Sequence, residues 1–174
     1  LEIVTGLFAA DKPISYEGKH FSLKDANITM KRKDTQILIG GNGRNKTLPL
    51  AAKYAVEWNA VYLNIEDFKE RNTLLDGYLA DEGRKPEAVK RSLMTRVLYG
   101  KDDAALAKRL ESINSSVDEL KARGIVVGTG SQVVDILGQW QEAGLQRIML
   151  QWIELDELHD LEDLANDVLP HFHN

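Results

Sequence analysis

A glycine-rich turn is the segment of this sequence whose residue types and spacing are best suited to chemistry. It consists of Gly40, Gly41, Asn42 and Gly43. The turn follows the short apolar run 36–39 and precedes a helix that Thr47 is expected to cap. Glycines after a strand let the backbone approach a ligand closely, and the first amides of the next helix attract an anion. We therefore interpret the turn as a phosphate-binding site, with Arg44 and Lys46 as added positive charge and Thr47 as a hydroxyl donor.

The spacing of these glycines matches no established phosphate motif. Lys46 stands where the third glycine of a G-x-G-x-x-G dinucleotide fingerprint is required, and no G-K-[ST] phosphate loop is present. On spacing alone, a tight strand-to-helix turn that binds nothing is an equal alternative.

Other candidate positions have structural interpretations of their own. Residues 128–130 form a second glycine turn, where Thr129 and Gln132 are interpreted as a capping pair. Gln151 and Trp152 lie at the carboxyl end of the last predicted strand, where α/β enzymes place ligand contacts, although Trp152 also suits packing. The remaining tryptophans, Trp58 and Trp140, are predicted to lie in the core.

The sequence offers neither a metal site nor a nucleophile. The histidines are His20, His159, His171 and His173, and none has ligand or triad spacing to an acid or to another histidine. No G-x-S-x-G motif occurs. Six acids near the carboxyl end are interpreted as a solvated helix face: Glu154, Asp156, Glu157, Asp160, Glu162 and Asp163. No metal is expected, and the catalytic residues stay unassigned.

Composition narrows the possible partners. The 174 residues carry a net charge of −5, which disfavours nucleic acid and anionic lipid, and no apolar run approaches the length of a membrane span. The absence of cysteine is compatible with a reducing compartment, so a cytoplasmic location is expected. The sequence begins without methionine inside an amphipathic helical pattern, from which we expect a piece of a longer protein.

Strands and helices alternate along most of the chain. Four strand–helix units are predicted, together with one extra apolar stretch at 125–127; their strands are 36–39, 56–62, 93–99 and 147–152. A hairpin at about 14–23 and a loop at 24–34 precede them, so we treat 1–174 as a single domain with an insertion at about 13–35. Alternating units predict a parallel sheet, either an open doubly wound sheet or half of an eight-stranded barrel.

Several segments, in their order, resemble bacterial luciferase-like monooxygenases, and most closely the subgroup that uses the deazaflavin F420. They are residues 15–21, 37–43 with Thr47 and Leu48, 51–55, Trp58 and Asn59, 83–86, Gly128 and Thr129, and 144–150. The sequence departs from the family pattern at 30–34, where prolines are usual, and at Val56 and Glu57, where Ala-Asp-Gly is common.

The resemblance implies an α/β fold in which the chain supplies the carboxyl-terminal half of a TIM-type (β/α)8 barrel. It also implies that Gly40, Gly41, Asn42, Gly43 and Thr47 bind the phosphate of FMN or F420. In the family, the ring contacts and acid–base residues come largely from the amino-terminal half. We therefore expect the chain to be part of a flavin- or F420-dependent oxidoreductase acting on a small-molecule substrate, and to be inactive when isolated.

Two further hypotheses remain open. Four strand–helix units leave two open sheet edges, so the chain is also a candidate interaction module that forms a homo-oligomer or pairs with a missing amino-terminal half. The second is a phosphate-binding α/β module of another kind, without catalysis.

Overall fold

The computed structural model describes residues 1–29, 35–113 and 115–172. The strands are β1 (Ile14–Glu17), β2 (Ser22–Ala26), β3 (Leu38–Gly40), β4 (Glu57–Val61), β5 (Lys90–Tyr99), β6 (Val126–Gly128) and β7 (Arg147–Gln151). The helices are α1 (Glu2–Ala9), α2 (Thr47–Tyr54), α3 (Ile65–Asp81), α4 (Asp103–Glu111), α5 (Val117–Ala122), α6 (Gly130–Glu142) and α7 (Leu158–Val168). Short 3-10 helices occupy Pro86–Ala88 and Leu169–His171.

Five parallel strands form the main sheet. β3 pairs with β4 and β4 with β5, while β7 pairs with the opposite edge of β5 through residues 92–96. The last three residues of β5 pair with β6 instead, and Gly124, just before β6, lies against the backbone of Leu63, just past β4. The four predicted strand–helix units and the extra stretch near 125 are therefore present.

Three local predictions need correction. β2 extends to Ala26, so residues 24–26 are strand and not loop, because they pair with the preceding strand of an antiparallel hairpin. β5 begins at Lys90, three residues earlier than predicted, because Lys90 pairs with Glu57. Thr47 is the first helical residue of α2, and Lys46 occupies the N-cap position. Residues 30–34, where the sequence departs from the family pattern, lie outside the described residues.

The helices cover one face of the sheet and bury the main core there. Trp58 on β4 is fully buried and stacks on Phe68 of α3, with ring centroids 5.6 Å apart. Trp140 of α6 meets the same phenylalanine edge-on at 5.3 Å. Both tryptophans are core residues, as predicted.

The opposite face of the sheet carries polar side chains that pair across the strands. Glu57 on β4 accepts from Arg147 Nη1 on β7 at 3.0 Å, above the small Ser92 of the intervening strand. Asn59 Nδ2 donates to Ser92 Oγ at 2.9 Å. Because β3 and β7 each have a single neighbouring strand in the described part of the chain, this face lies between two open edges. None of the described helices is long and apolar enough to span a membrane.

Candidate functional site

The glycine turn connects the carboxyl end of β3 to the first turn of α2. Gly40 is the last residue of β3, and Gly41 has a φ of +120°, a conformation that side-chain-bearing residues rarely adopt. The Gly41 N–H donates to the Asn59 carbonyl at 2.9 Å, and the Leu48 N–H donates to the Gly43 carbonyl at 3.0 Å. The turn is thus fixed to the neighbouring strand at its start and to the helix at its end.

Side chains from two other elements hold the first half of the turn. The Asn42 Nδ2 group donates to the Val61 carbonyl at 2.7 Å, and the Val61 N–H donates to Asn42 Oδ1 at 3.0 Å. Trp58 Nε1 donates to the Gly41 carbonyl at 2.8 Å, and Arg71 Nε donates to the Asn42 carbonyl at 3.3 Å. Sequence reasoning missed this role of Trp58, although a buried indole N–H usually needs an acceptor.

The second half of the turn is open. Gly43, Arg44, Asn45 and Lys46 are exposed. The backbone N–H groups of residues 43–47 have no acceptor within the parts of the chain that the structure describes. A Cβ on Gly43 would lie 2.8 Å from Thr47 Oγ1, so only glycine leaves the hydroxyl in its place. The amides of residues 43–47 therefore form an exposed row beside the Thr47 hydroxyl, whereas the Gly41 amide and the Asn42 side chain are hydrogen-bonded to β4.

The two predicted cations differ in their availability. Arg44 Nη2 lies 2.7 Å from Glu70 Oε2, and Arg71 contacts the same carboxylate. Lys46 has no ion-pair partner among the described residues. Lys46 is therefore the cation that remains free to meet an anion at the turn.

The second glycine turn is closed by a carboxylate. A Cβ on Gly130 would clash with Asp167 of α7, whose Oδ2 accepts from the Tyr99 hydroxyl at 2.7 Å. Burial, together with this hydrogen bond, raises the pKa of Tyr99. The Thr129 N–H donates to Gln132 Oε1 at 3.0 Å, which confirms the interpretation as a capping pair. Asp167 therefore occupies the position that an anionic ligand would need at α6.

A second polar group lies at the carboxyl ends of β4, β5 and β7. The Tyr62 hydroxyl donates to Gln151 Oε1 at 2.6 Å, and Arg96 Nη2 lies 2.5 Å from Glu154 Oε1. Burial of Glu154 opposes ionisation, but the hydrogen bond and charge of Arg96 outweigh it and lower the pKa of that carboxyl. Gln151 was singled out from its place at the strand end, whereas nothing in the sequence pointed to Tyr62.

Trp152 is packed and not exposed to a ligand site. Its ring packs against the core cluster beneath α6 and α7, its Nε1 donates to the Glu154 carbonyl at 2.8 Å, and Arg109 lies 5.2 Å from the ring centroid. Arg109 also pairs with Glu157 at 2.5 Å and with Asp160. The acidic run is therefore partly an ion-pair network, because α4 directs Arg109 toward it, and not only a solvated face.

The histidines stay apart from both polar groups. His159 lies 3.9 Å from Glu162 and 3.8 Å from Asp163 on the exposed side of α7. His20 and His171 are exposed, and His173 lies outside the described residues. Within the described ranges, no three potential ligands are grouped as a metal ion would require.

Comparisons with known proteins identify the family. The family model described as luciferase-like monooxygenase matches residues 1–117. An F420-dependent secondary alcohol dehydrogenase, solved with an F420-acetone adduct, superposes with a TM-score of 0.80 at 16% identity. The match covers 99% of this chain and 60% of the dehydrogenase. A coenzyme F420-dependent tetrahydromethanopterin reductase from Methanopyrus kandleri superposes with a TM-score of 0.75 at 19% identity. The match covers 98% of this chain and 61% of the reductase. Monooxygenase RslO1 from Streptomyces bottropensis superposes with a TM-score of 0.73 at 19% identity, and the match covers 98% of this chain and 59% of RslO1.

The chain spans about 60% of the length of these solved structures. No curated protein matches it significantly. The fold is the parallel α/β fold of the TIM-barrel luciferase-like enzymes, which confirms the predicted barrel fragment against the open doubly wound sheet. Since the family model covers well over half of the chain, the chain belongs to the luciferase-like monooxygenase family.

Proposed function

We propose that this chain contributes the cofactor-phosphate site of a flavin- or F420-dependent oxidoreductase. The observation that carries the proposal is the exposed row of backbone N–H groups at 43–47, which lack acceptors within the described residues. Amides at a helix N-terminus, placed at the carboxyl end of a parallel strand, suit a phosphate group. Among the predicted site residues, Gly43 and Thr47 would bind the phosphate, while Gly40, Gly41 and Asn42 would form and hold the turn.

These residues would have different roles. Gly43 brings the backbone within contact distance of the Thr47 hydroxyl, so amides and hydroxyl could bind the same phosphate oxygens. Lys46 would add the positive charge, because Arg44 is paired with Glu70. Asn42 would position the turn and not touch the phosphate, since both ends of its side-chain amide bind Val61.

The bound cofactor would supply hydride or electron transfer to a small-molecule substrate, while the protein supplies binding and orientation. The secondary alcohol dehydrogenase was solved with an F420-acetone adduct, and the oxygenating constituent of 3,6-diketocamphane monooxygenase was solved in complex with FMN. A phosphate site serves either cofactor. A cytoplasmic location accompanies this proposal, because the chain has no cysteine to pair in an oxidising compartment.

We further propose that the polar face of the sheet is closed by another half-barrel, either an amino-terminal half of the same protein or a second copy. Leu38 on β3 is 48% exposed and Met149 on β7 is 36% exposed, each at an unpaired edge. Edge strands with apolar side chains favour pairing with further strands. Light scattering at several concentrations tests the second copy: a monomer at all concentrations would contradict it.

Titration with FMN and with F420 tests the cofactor proposal. We expect saturable binding of at least one of them, and weaker binding when Gly43→Ala displaces the Thr47 hydroxyl. Gly77→Ala on α3 is the matched control, because a Cβ there would meet nothing within 4 Å. Binding of ribose 5-phosphate without either cofactor would instead support the non-catalytic phosphate module, and no binding of any of the three would contradict both.

A further inference from the structure

Tyr62 has a backbone conformation that sequence alternation does not predict. Its φ is +50°, which is costly for a bulky side chain and is often retained at functional sites. Strict alternation along β4 would place Tyr62 with Trp58 and Ala60 on the helix-covered face. The hydroxyl instead reaches Gln151, on the same side of β7 as the Arg147 that binds Glu57. The left-handed residue therefore directs the hydroxyl across the carboxyl end of β5.

The Tyr62–Gln151 pair leaves one acceptor and one donor available. Tyr62 Oη donates to Gln151 Oε1 and keeps a lone pair. The Gln151 Nε2 group contacts only the sulfur of Met94, at 3.5 Å, among the described residues. A thioether is a weak acceptor, so the amide N–H groups remain free for a stronger one. Both side chains are partly exposed, and the Tyr62 ring also packs against the apolar cluster of Leu98, Leu120, Ile125 and Val127.

The pair lies at a defined distance from the glycine turn. The turn follows β3, whereas the pair spans β4 to β7, one to three strand positions further along the sheet. At about 4.8 Å per strand, the separation is about 5 to 14 Å. FMN and F420 both carry a ribityl chain and a tricyclic ring beyond the phosphate, which extends over a comparable distance. Asn42 connects the two places directly, because it binds Val61, the residue before Tyr62.

We propose that Tyr62 and Gln151 bind the pyrimidine edge of the cofactor's ring system. That edge presents a ring N–H beside carbonyl oxygens, so it needs an acceptor next to a donor. Tyr62 Oη would accept from the ring N–H, and Gln151 Nε2 would donate to a carbonyl. This proposal rests on the proposed function, and it adds a ring contact from this half of the barrel to those that the family resemblance assigns to the other half.

The affinities for three ligands distinguish the ring contact from the phosphate contact. The ligands are FMN, riboflavin and inorganic phosphate. Tyr62→Phe and Gln151→Met should each weaken FMN and riboflavin binding about three- to tenfold, the usual effect of losing one hydrogen bond, and leave phosphate affinity unchanged. Gly43→Ala should weaken FMN and phosphate binding and leave riboflavin unchanged. Tyr78→Phe on α3 and Gln141→Met on α6 are matched controls, since neither lies at the carboxyl ends of the strands.

The absorption spectrum of bound flavin supplies a readout that a purely structural role would not change. Loss of a hydrogen bond at a ring carbonyl should shift the spectrum in Gln151→Met but not in Gln141→Met. The ring contact would be overturned if the folded Tyr62 and Gln151 variants had unchanged flavin affinity and an unchanged flavin spectrum. If Gly43→Ala still weakened FMN binding in that case, the proposed function would stay intact. Failure of the wild-type chain to bind any of FMN, riboflavin and F420 would overturn both.

Discussion

Asn42 forms two hydrogen bonds with the backbone of a single residue, Val61. Its Nδ2 donates to the Val61 carbonyl at 2.7 Å, and its Oδ1 accepts from the Val61 N–H at 3.0 Å. The asparagine side chain thus behaves as one more residue of a neighbouring strand. It joins the glycine turn to the end of β4, so the turn and Tyr62 are held as one unit.

Replacement of Asn42 should therefore destabilise the protein and loosen the turn. Asn42→Ala leaves the Val61 carbonyl and N–H without their partner, at a cost of about 1–3 kcal/mol in the free energy of unfolding. Urea denaturation followed by circular dichroism measures this. Asn45→Ala, an exposed residue of the same turn, is the control and should change little. Equal losses in the two variants would contradict the role of Asn42.

Gly43→Ala should weaken phosphate binding about tenfold or more, because the new Cβ displaces the Thr47 hydroxyl. Isothermal titration with FMN gives the affinity. Gly77→Ala, whose Cβ would meet nothing within 4 Å, should bind as the wild type does. A Gly43→Ala protein with unchanged affinity would show that the phosphate does not use this half of the turn.

Arg147→Met should cost about 1–2 kcal/mol in stability, because it leaves the nearly buried Glu57 carboxylate without its partner. Thermal or urea unfolding measures the change. The double variant with Glu57→Gln removes the uncompensated charge, so it should recover most of the loss. A double variant less stable than Arg147→Met alone would contradict this explanation.

Tyr99 should make stability fall at alkaline pH. Its pKa is raised in the folded protein, mainly by burial and then by Asp167, so above the unfolded value near 10 only the unfolded chain loses the proton. The free energy of unfolding therefore decreases as pH rises through that value. Tyr99→Phe should flatten this decrease, which urea unfolding at pH 9 to 11 would detect. Identical slopes for the two proteins would contradict the assignment.

Much of the fold follows from local patterns. The strand–helix order, the capping box of Ser116 and Glu119, and the burial of Trp58 all agree with apolar periodicity and turn chemistry. Asn64 caps α3 as its position indicates, by accepting from the Asp67 N–H at 2.8 Å. These features depend on residues close in sequence or on burial alone.

The details of the site depend on contacts between distant residues. Arg44 is near the turn in sequence, but its pairing with Glu70 depends on where α3 packs. The left-handed backbone of Tyr62 accompanies a hydrogen bond to Gln151, 89 residues away. The same holds for Asp167, which closes the second glycine turn from α7. Residue spacing within one segment does not report contacts with distant segments. Sequence reasoning therefore located the glycine turn but not the residues that hold it in place.

The most direct test of the phosphate site is an amide-resolved NMR titration of the chain with FMN. The account predicts that the largest chemical-shift changes fall on the backbone N–H groups of residues 43–47, and that inorganic phosphate moves the same signals at higher concentration. Changes centred on α6 at Gly130, or no saturable change at residues 43–47, would contradict it.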